Sequence, residues 1–228
     1  MKTAYAINGS PRLERSNTAM LLAPFLQGMK EAGATVELCY SSQLQVKPCS
    51  CGKLYCWNDK PGECCLHDEM QSLYPKLKQA QILVLATPVY IPLPGDFQNI
   101  LNRLVALMDP ILEFRGGRTR IRFREDVQIR QIVLVATSGW WELENLDTVV
   151  RIVEEIAKDA SVEFAGALLR PHFSAMKKKG EVTQDGASVL TAAHQAGYEL
   201  VKEGWIAQET LETIHRPLIS LEDFMSSA

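Results

Sequence analysis

Short apolar runs alternate with stretches of helical periodicity along the whole chain. The apolar runs predict five strands, at residues 2–7, 35–40, 82–86, 132–136 and 162–169. An unbroken run such as 82–86 is typical of a strand that is buried on both faces of a parallel sheet. Parallel neighbours need crossover connections, and helices in those crossovers cover both faces. We therefore expect an α/β fold with a doubly wound, five-stranded parallel sheet and helices on both faces.

Apolar residues that recur every three or four positions predict the helices. The predicted helices contain the apolar stretches from Leu22 to Met29, 68–78, Phe97 to Met108, Leu146 to Ile156, 187–202 and 209–215. Pro24 lies inside the first helix and should bend it or delay its regular part. Pro110 should end the third helix.

The loop after the first strand carries the groups that a phosphate needs. Gly9 lets the backbone approach closely, and Ser10, Ser16 and Thr18 can donate hydroxyl hydrogens to phosphate oxygens. The helix that starts here adds unpaired N–H groups and the positive end of its dipole. Taken alone, the loop could also be an ordinary connection in which Ser16 or Asn17 only caps the helix.

Two further loops help to decide between phosphate binding and simple helix capping, because ligands of doubly wound sheets bind beyond the carboxyl ends of the strands. The loop at 88–95 contains three prolines that preset its shape, and it carries Tyr90. The loop at 137–141 carries Trp140 and Trp141. An anion-binding loop beside two aromatic loops favours a flat aromatic ligand with one phosphate tail.

Composition and charge argue against several classes of function. The 228 residues suit one domain, or one domain with an elaboration. The net charge of −3 gives no electrostatic reason to expect nucleic acid or an anionic membrane. No apolar run approaches the length of a membrane span, and the first residues do not follow the plan of a signal peptide. We therefore expect a cytoplasmic protein.

Five of the six cysteines are clustered in one segment. They are Cys49, Cys51, Cys56, Cys64 and Cys65. In a cytosolic chain of this size, such clustering points to metal binding or redox chemistry before disulfides. Cys39 stands apart and is expected to fill a small space in the core.

The segment 111–130 is unusually basic, with six arginines around Gly116 and Gly117. It could meet an anionic ligand, such as the phosphate of a nicotinamide nucleotide, or a partner subunit. A solvated hairpin is the more frequent origin of such a run, and we favour it here.

Several motifs, taken in order, are similar to those of a known group of proteins. They are NGSPR at 8–12, SNT at 16–18, TPVY at 87–90, NILNRL at 99–104, the cysteine motifs from Pro48 to Trp57 and from Pro61 to Cys64, and DEM at 68–70. Together they resemble the flavodoxin-like NAD(P)H-dependent FMN reductases and, within them, the iron-sulfur flavoproteins. The resemblance implies one flavodoxin-like FMN-binding domain over 1–228, with a cysteine-rich insertion at about 47–67 and a helical C-terminal tail at about 183–228.

The resemblance also implies that FMN binds at the three strand-end loops. Its phosphate would be held by Ser10, Arg12, Ser16, Asn17 and Thr18. Its ring would lie against Pro88, Val89, Tyr90 and Ile91 on one side and Thr137, Ser138 and Gly139 on the other. The Arg12 side chain could instead point into solvent, and Tyr90 could have a purely structural role. Trp140 and Trp141 could stack on flavin or substrate, or pack at a subunit interface.

The cysteine segment departs from the pattern of the iron-sulfur flavoproteins, which place two residues between successive early cysteines. Here the intervals between Cys49, Cys51, Cys56 and Cys64 are one, four and seven residues. These four thiols are the first choice for a [4Fe–4S] cluster, with Cys65 as a substitute. Zinc in a tetrathiolate site, a reactive thiol pair and a segment without any cluster remain open.

The resemblance implies an FMN-dependent oxidoreductase that passes electrons from NADH or NADPH to a second acceptor. That acceptor would be a quinone, a nitroaromatic, free flavin or an electron-carrier protein, and a cluster, where bound, would release electrons singly. No side chain need act as an acid or base, because the cofactor performs the redox step. The alternatives are a non-enzymatic electron carrier and a metal-binding or thiol-sensing regulator. The family also implies a homodimer or higher homo-oligomer.

Overall fold

The computed structural model describes residues 2–226 and consists of a five-stranded sheet between two layers of helices. The strands are β1 (Thr3–Asn8), β2 (Thr35–Tyr40), β3 (Ile82–Pro88), β4 (Met108–Arg115), β5 (Arg118–Phe123), β6 (Gln131–Thr137), β7 (Glu163–Arg170), β8 (Lys177–Lys178) and β9 (Glu181–Val182). The helices are α1 (Asn17–Glu31), α2 (Tyr55–Asn58), α3 (Met70–Gln79), α4 (Gly95–Arg103), α5 (Asp147–Ala160), α6 (Gln184–Lys202), α7 (Gln208–His215) and α8 (Leu221–Ser226).

The central sheet has the order β2-β1-β3-β6-β7, and all of its pairings are parallel. The five strands expected from the apolar runs are the strands of this sheet, so the predicted fold class is confirmed. Because every strand points the same way, the loops that follow β1, β3 and β6 reach the same edge of the sheet.

Alternate side chains of the central strands enter two separate cores. In β3, Leu83 and Leu85 pack with the layer formed by α3, α4 and α5, whereas Ile82 and Val84 pack with α1 and α6. This alternation follows from the two-residue repeat of a strand. Both faces must therefore be apolar, which explains the unbroken apolar runs.

Two glycines let α1 and α6 approach until their backbones touch. A Cβ atom built on Gly197 would lie 1.9 Å from the carbonyl oxygen of Phe25. A Cβ atom built on Gly28 would lie 1.9 Å from the carbonyl oxygen of His194. Only a residue without a side chain fits at either position. The helix α1 runs through Pro24 from its start at Asn17, so its regular part is not delayed.

The helix expected to extend to Met108 is shorter than predicted. The helix α4 ends at Arg103, a 3-10 turn covers Leu104–Leu107, and β4 begins at Met108 and contains Pro110. The apolar spacing continued because the turn and the start of β4 face the same core, where Leu104, Leu107 and Met108 are buried. Periodicity alone could not distinguish these elements from one long helix.

The arginine-rich segment forms the hairpin β4–β5, but the hairpin is tied to α5 rather than simply solvated. Arg120 forms ion pairs with Glu155 at 2.8 Å and Asp159 at 2.6 Å. Arg115 donates a hydrogen bond of 2.8 Å to the Lys158 carbonyl at the end of that helix. The carboxylates of α5 thus neutralise part of the basic run.

The short helices α2 and α8 and the ribbon β8–β9 were not predicted. Among residues 2–226, none of the helices combines the length and the apolar character that a membrane span requires. The division of the chain into a domain with an inserted segment and a tail stays a prediction.

Candidate functional site

Hydrogen bonds join the three strand-end loops to one another. The Gly9 N–H donates to the Ala86 carbonyl at 2.7 Å, and the Val89 N–H donates to the Thr137 carbonyl at 2.9 Å. The Thr137 hydroxyl also lies 2.9 Å from the Thr18 hydroxyl at the start of α1. The loops expected to bind one ligand therefore form one connected corner of the molecule.

Ser16 shapes the first loop by capping α1. Its hydroxyl accepts a hydrogen bond of 2.9 Å from the Ala19 N–H and donates one of 2.7 Å to the Leu13 carbonyl. Both functions of the hydroxyl are thus used within the loop. The capping role considered from the sequence is correct for Ser16, and it leaves other groups to bind an anion.

The first two amide groups of α1 are the strongest anion-binding feature of this loop. Within residues 2–226, no hydrogen bond is formed by the N–H groups of Asn17 or Thr18. Both lie at the positive end of the helix dipole, in the loop that also carries the buried residues Ser10 and Thr18. The Arg12 side chain is exposed, as is that of Asn17. This donor set fits a phosphate monoester without requiring a cation.

The end of β1 holds a second sign of a polar ligand or bound water. The side-chain nitrogen of Asn8 is buried without a hydrogen-bond partner in the described part of the chain. The Asn8 oxygen fixes the loop by accepting from the Ser10 N–H at 2.9 Å. Gly9 is held against Phe97, whose ring carbon would lie 2.6 Å from an added Cβ. The backbone of the loop is therefore packed closely and cannot accept a larger residue here.

The second loop presents apolar side chains to the outside. Pro88 and Val89 are half-buried, Tyr90 is exposed, and the Ile91 side chain is completely exposed. The Tyr90 N–H donates to the Pro92 carbonyl at 2.8 Å, which closes a tight turn. The loop thus brings together the residues expected to flank a ring.

The third loop places its two tryptophans differently. Thr137 and Ser138 are buried, Gly139 is exposed, and 65% of Trp140 is exposed. The Trp141 ring instead stacks on the His172 ring at a centroid distance of 6.0 Å. Its indole N–H donates to the Ile219 carbonyl at 3.1 Å. Trp141 therefore contacts the C-terminal segment, and only Trp140 is free to meet a ligand.

A buried ion pair holds the two ends of the cysteine segment together. The Arg103 guanidinium donates to both carboxylate oxygens of Asp68, at 2.9 and 3.2 Å. It also donates to the Lys47 carbonyl at 3.1 Å, while the Asp68 carboxylate accepts from the Lys47 N–H at 2.9 Å. Residues 47 and 68 are thereby fixed to α4.

This ion pair was not predicted from the sequence, where Asp68 was noted only as part of the DEM motif at 68–70. The carboxylate also accepts from the Met70 N–H at 3.1 Å. Burial acts to raise the pKa of Asp68, but hydrogen bonds from Arg103, Lys47 and Met70 outweigh it and hold the pKa below its ordinary value. The only available signal was the family motif that contains Arg103.

The thiols of the cysteine segment lie close enough to influence one another. Burial raises the pKa of Cys56 to about 11, and neighbouring Cys51 and Cys64 add to the shift. Burial likewise raises the pKa of Cys49, with Cys51 and Cys64 contributing. In residues 2–226, no group of three or more histidine, cysteine or carboxylate side chains has an arrangement that would hold a metal ion. By chemistry the donors suit iron-sulfur ligation, because all of them are thiols.

Comparison with known families decides the assignment of the chain. Residues 3–153 match the family model described as NADPH-dependent FMN reductase. The chain belongs to this family. The match includes all three strand-end loops and the cysteine segment, so the resemblance noted from the motifs is confirmed.

Within the FMN reductase family, the chain is similar to iron-sulfur flavoproteins. One from Archaeoglobus fulgidus is 29% identical over 119 residues, which are 52% of this chain and 53% of the relative. One from Methanocaldococcus jannaschii is 35% identical over 107 residues, which are 46% of this chain and 51% of the relative. The chain thus spans about half the length of the curated relatives it matches.

Solved structures show the same fold at low sequence identity. A NAD(P)H:quinone oxidoreductase from Methanothermobacter marburgensis has a TM-score of 0.58 at 17% identity, covering 87% of this chain and 96% of its own. An FMN-dependent NADH-azoreductase from Bacillus anthracis, in complex with FMN, has a TM-score of 0.54 at 15% identity, covering 90% of this chain and 97% of its own. These likenesses confirm the flavodoxin-like fold of this FMN reductase family member.

Proposed function

We propose that this protein binds FMN at the corner formed by its three strand-end loops and transfers electrons from NADH or NADPH to a second acceptor. The observation that carries the proposal is the free N–H pair of Asn17 and Thr18 beside buried hydroxyls, joined by Thr18 and Thr137 to the loops that would flank a ring. Membership of the FMN reductase family supports the same assignment.

The phosphate would be bound by the amides of Asn17 and Thr18 together with the hydroxyls of Ser10 and Thr18. Ser16 would act indirectly, because its hydroxyl is used to cap α1 and hold the loop. Arg12, which is exposed, would add charge only from the outside. Since an anion at a helix N-terminus is favoured by the dipole, this set needs no buried cation.

The isoalloxazine ring would lie between the second and third loops. Its neighbours would be Pro88, Val89, Tyr90, Ile91, Thr137, Ser138 and Gly139. Bound FMN would supply the electron-transfer chemistry, and the loops would orient the ring and exclude water from one side of it. Exposed Trp140 and Tyr90 would offer apolar surface to a flat acceptor such as a quinone or nitroaromatic.

The test of FMN binding is calorimetric titration of the flavin-free protein. Thr18→Val removes the hydroxyl bonded to Thr137, and we expect FMN affinity to fall on the order of tenfold, as for the loss of a hydrogen bond to a charged group. Thr213→Val on the surface of α7 is the matched control and should bind FMN as the native protein does. No uptake of FMN by the native protein would overturn the proposal.

The enzymatic part of the proposal is tested by steady-state oxidation of NADH and NADPH with quinone, nitroaromatic and flavin acceptors. Turnover with any of them would support an oxidoreductase. FMN binding without nicotinamide oxidation would instead favour the non-enzymatic electron carrier considered from the sequence.

We further propose that Cys49, Cys51, Cys56 and Cys64 bind a [4Fe–4S] cluster, with Cys65 as a substitute ligand. Support comes from the all-thiol donor set, from the ion pair that closes the segment, and from the iron-sulfur flavoprotein relatives. Anaerobic purification with iron and sulfide analysis tests this. Cys56→Ser should lower both, whereas Cys39→Ser should not. Native protein that binds FMN but contains neither iron nor sulfide would refute the cluster, and zinc in its place would identify the rival.

We also expect a homodimer or higher homo-oligomer. The exposed apolar residues Ile91 and Trp140 stand at the rim of the proposed flavin site, where a second subunit could cover them. Light scattering combined with size-exclusion chromatography tests this, and a monomer at micromolar concentration would contradict it.

A further inference from the structure

His172 connects the third strand-end loop to the C-terminal segment. Its backbone N–H donates to the Trp140 carbonyl at 2.6 Å, and its Nδ1 lies 3.0 Å from the Trp141 carbonyl. Its Nε2 lies 3.1 Å from the Arg170 guanidinium and 3.0 Å from the Leu218 amide nitrogen. One buried imidazole therefore contacts the end of β7, the loop after β6 and the segment after α7.

The partners of this imidazole fix its protonation state. A guanidinium and a backbone N–H can only donate hydrogen bonds, so Nε2 must accept from both Arg170 and Leu218. A carbonyl can only accept, so Nδ1 must carry the proton that is shared with Trp141. His172 is thus required as the neutral Nδ1–H tautomer. Protonation of Nε2 would remove the hydrogen bonds from Arg170 and Leu218 at once.

The electrostatic surroundings also oppose a charged imidazole. Arg170 is completely buried and has no ion pair with a carboxylate in the described residues. Its other hydrogen bonds go to the Pro171 carbonyl and to the Ile214 carbonyl, which lies near the C-terminal end of α7. That helix end supplies the partial negative charge that a carboxylate would otherwise provide.

The other titratable groups around this pair come from α7 and its flanks. Glu212 and His215 lie on α7, and Arg216 follows it in an ion pair of 2.9 Å with Asp185 of α6. Burial lowers the pKa of His172; the hydrogen bond to Trp141 opposes this shift, and the Arg170 charge adds to it. The balance therefore favours the neutral form that the hydrogen bonds require.

The contacts of residues 170–173 continue into the proposed flavin site. The Ser138 N–H donates to the Arg170 carbonyl at 3.0 Å, and the Phe173 N–H donates to the Ser138 carbonyl at 3.1 Å. Thr137, the preceding residue, carries the hydroxyl that meets Thr18 at the phosphate loop. A shift of His172 would thus reach the ring-flanking loop directly and the phosphate loop through one further contact.

We propose that His172 is a positioning residue of the flavin site: as a neutral imidazole it holds the C-terminal segment against the 137–141 loop, and when it is protonated it releases that segment and shifts the ring to which the loop is bonded. The proposal rests on the proposed FMN site for its functional consequence. The link between His172 and the C-terminal segment does not depend on FMN, so the two can fail separately.

The first test measures the imidazole itself in the native protein. Nitrogen-15 NMR distinguishes the Nδ1–H tautomer from the alternative tautomer and from the protonated ring. We expect His172 to be the Nδ1–H form at neutral pH and to titrate below the ordinary value of about 6.5. An Nε2–H tautomer, or a protonated ring at neutral pH, would overturn the proposal without any variant.

The second test compares variants in FMN affinity and in hydrogen exchange of residues 216–226. His172→Asn suits the left-handed backbone at this position, with φ of 33°. Its side-chain N–H can still donate to the Trp141 carbonyl, but the side chain is too short to place an acceptor where Nε2 meets Arg170 and Leu218. His172→Gln keeps an acceptor nearer Arg170 and Leu218. His194→Asn, which alters a half-exposed imidazole paired with Glu31, is the control.

We expect native FMN affinity to fall between about pH 7 and about pH 4.5 by on the order of tenfold more than in His172→Asn, because the lowered pKa of His172 places its protonation below about pH 6.5 and a factor of this size is typical of coupling between sites. Any titration of FMN itself affects the His194→Asn control and the native protein equally, so the control should follow the native curve. Exchange of 216–226 should be faster in His172→Asn than in native protein at the same pH, with His172→Gln closer to native.

Identical pH profiles and identical exchange in His172→Asn and native protein would refute the role of His172. Faster exchange of 216–226 with an unchanged FMN profile would refute the positioning role and leave only a structural one. Failure of native protein to bind FMN at any pH would refute the proposed function, while the exchange experiment on the flavin-free protein would still decide the link to the C-terminal segment.

Discussion

Replacing Gly197 by alanine tests how strictly the contact between α1 and α6 is defined. The new Cβ would lie 1.9 Å from the Phe25 carbonyl oxygen and 3.0 Å from the Met29 nitrogen. Neither is a side-chain atom, so no rotamer change relieves the clash. The helices would have to separate by roughly 1.5 Å to reach ordinary contact, and the packing of Ala193 and Leu200 against α1 would loosen.

The expected cost follows from two opposing effects. Overpacking a core typically costs about 1–3 kcal/mol, and a clash between backbones belongs at the upper end. Replacing glycine by alanine within a helix stabilises the folded state by about 1 kcal/mol. We therefore expect a net loss of about 2 kcal/mol in the free energy of unfolding, or a fall in melting temperature of about 4–8 °C for a chain of this size.

Urea denaturation followed by circular dichroism measures this loss. Gly95→Ala is the matched control, because Gly95 opens α4 and an added Cβ meets nothing within 4 Å. It should leave stability unchanged or raise it slightly. Combining Gly28→Ala with Gly197→Ala should cost less than the sum of the two, since one separation of the helices relieves both clashes. Gly197→Ala protein as stable as the native protein would refute the reasoning.

Three further predictions concern the buried ion pair and the cap of α1. Asp68→Ala leaves the Arg103 charge buried without its carboxylate and should cost about 3–5 kcal/mol of unfolding free energy, measured in urea. Adding Arg103→Met to this variant should recover part of the loss. A double variant as unstable as Asp68→Ala would contradict this. Because the Asp68 pKa is lowered in the folded protein, the carboxylate contributes its full stabilisation above the unfolded pKa of about 3.9 and loses that stabilisation as the pH falls below this value. The free energy of unfolding should therefore fall more steeply from about pH 6 to about pH 2.5 in native protein than in Asp68→Ala. Equal slopes would be evidence against this contribution. Ser16→Ala should cost about 1 kcal/mol in thermal unfolding and weaken FMN binding through the loosened loop, while Ser188→Ala, at a half-exposed position on α6, should change neither. Native FMN affinity in Ser16→Ala would show that the cap does not shape the site.

The sheet could be predicted from the sequence because burial on both faces leaves a direct record in the chain. An apolar run such as 132–136 is too short for a typical helix and contains three β-branched residues, so its length and composition favour a buried strand. The end of α4 could not be predicted in the same way. Leu107 and Met108 are buried by the same core whether they lie in a helix, a turn or a strand, so their apolar character does not report the change of backbone conformation.

The candidate site was predictable where its chemistry is local. The hydroxyls of Ser10, Ser16 and Thr18 stand close together in the sequence, next to the helix start that orients them. The pairing of Asp68 with Arg103 spans 35 residues, and that of His172 with Leu218 spans 46 residues. Nothing in the residues on either side of such partners indicates that they meet, because tertiary packing alone brings them together.

The ion pair between Arg103 and Asp68 makes the cysteine segment an independently closed loop. Both of its ends are fastened to α4, so the length of the loop between them can change at little entropic cost as long as Cys56 and Trp57, which pack in the core beside α3 and α4, are kept. Under the proposed function, the scaffold could therefore carry a different inorganic centre, or none, while FMN binding at the strand-end loops is kept. If the proposed cluster is bound, grafting a cysteine loop from a relative between positions 47 and 68 should change the inorganic centre without loss of FMN binding.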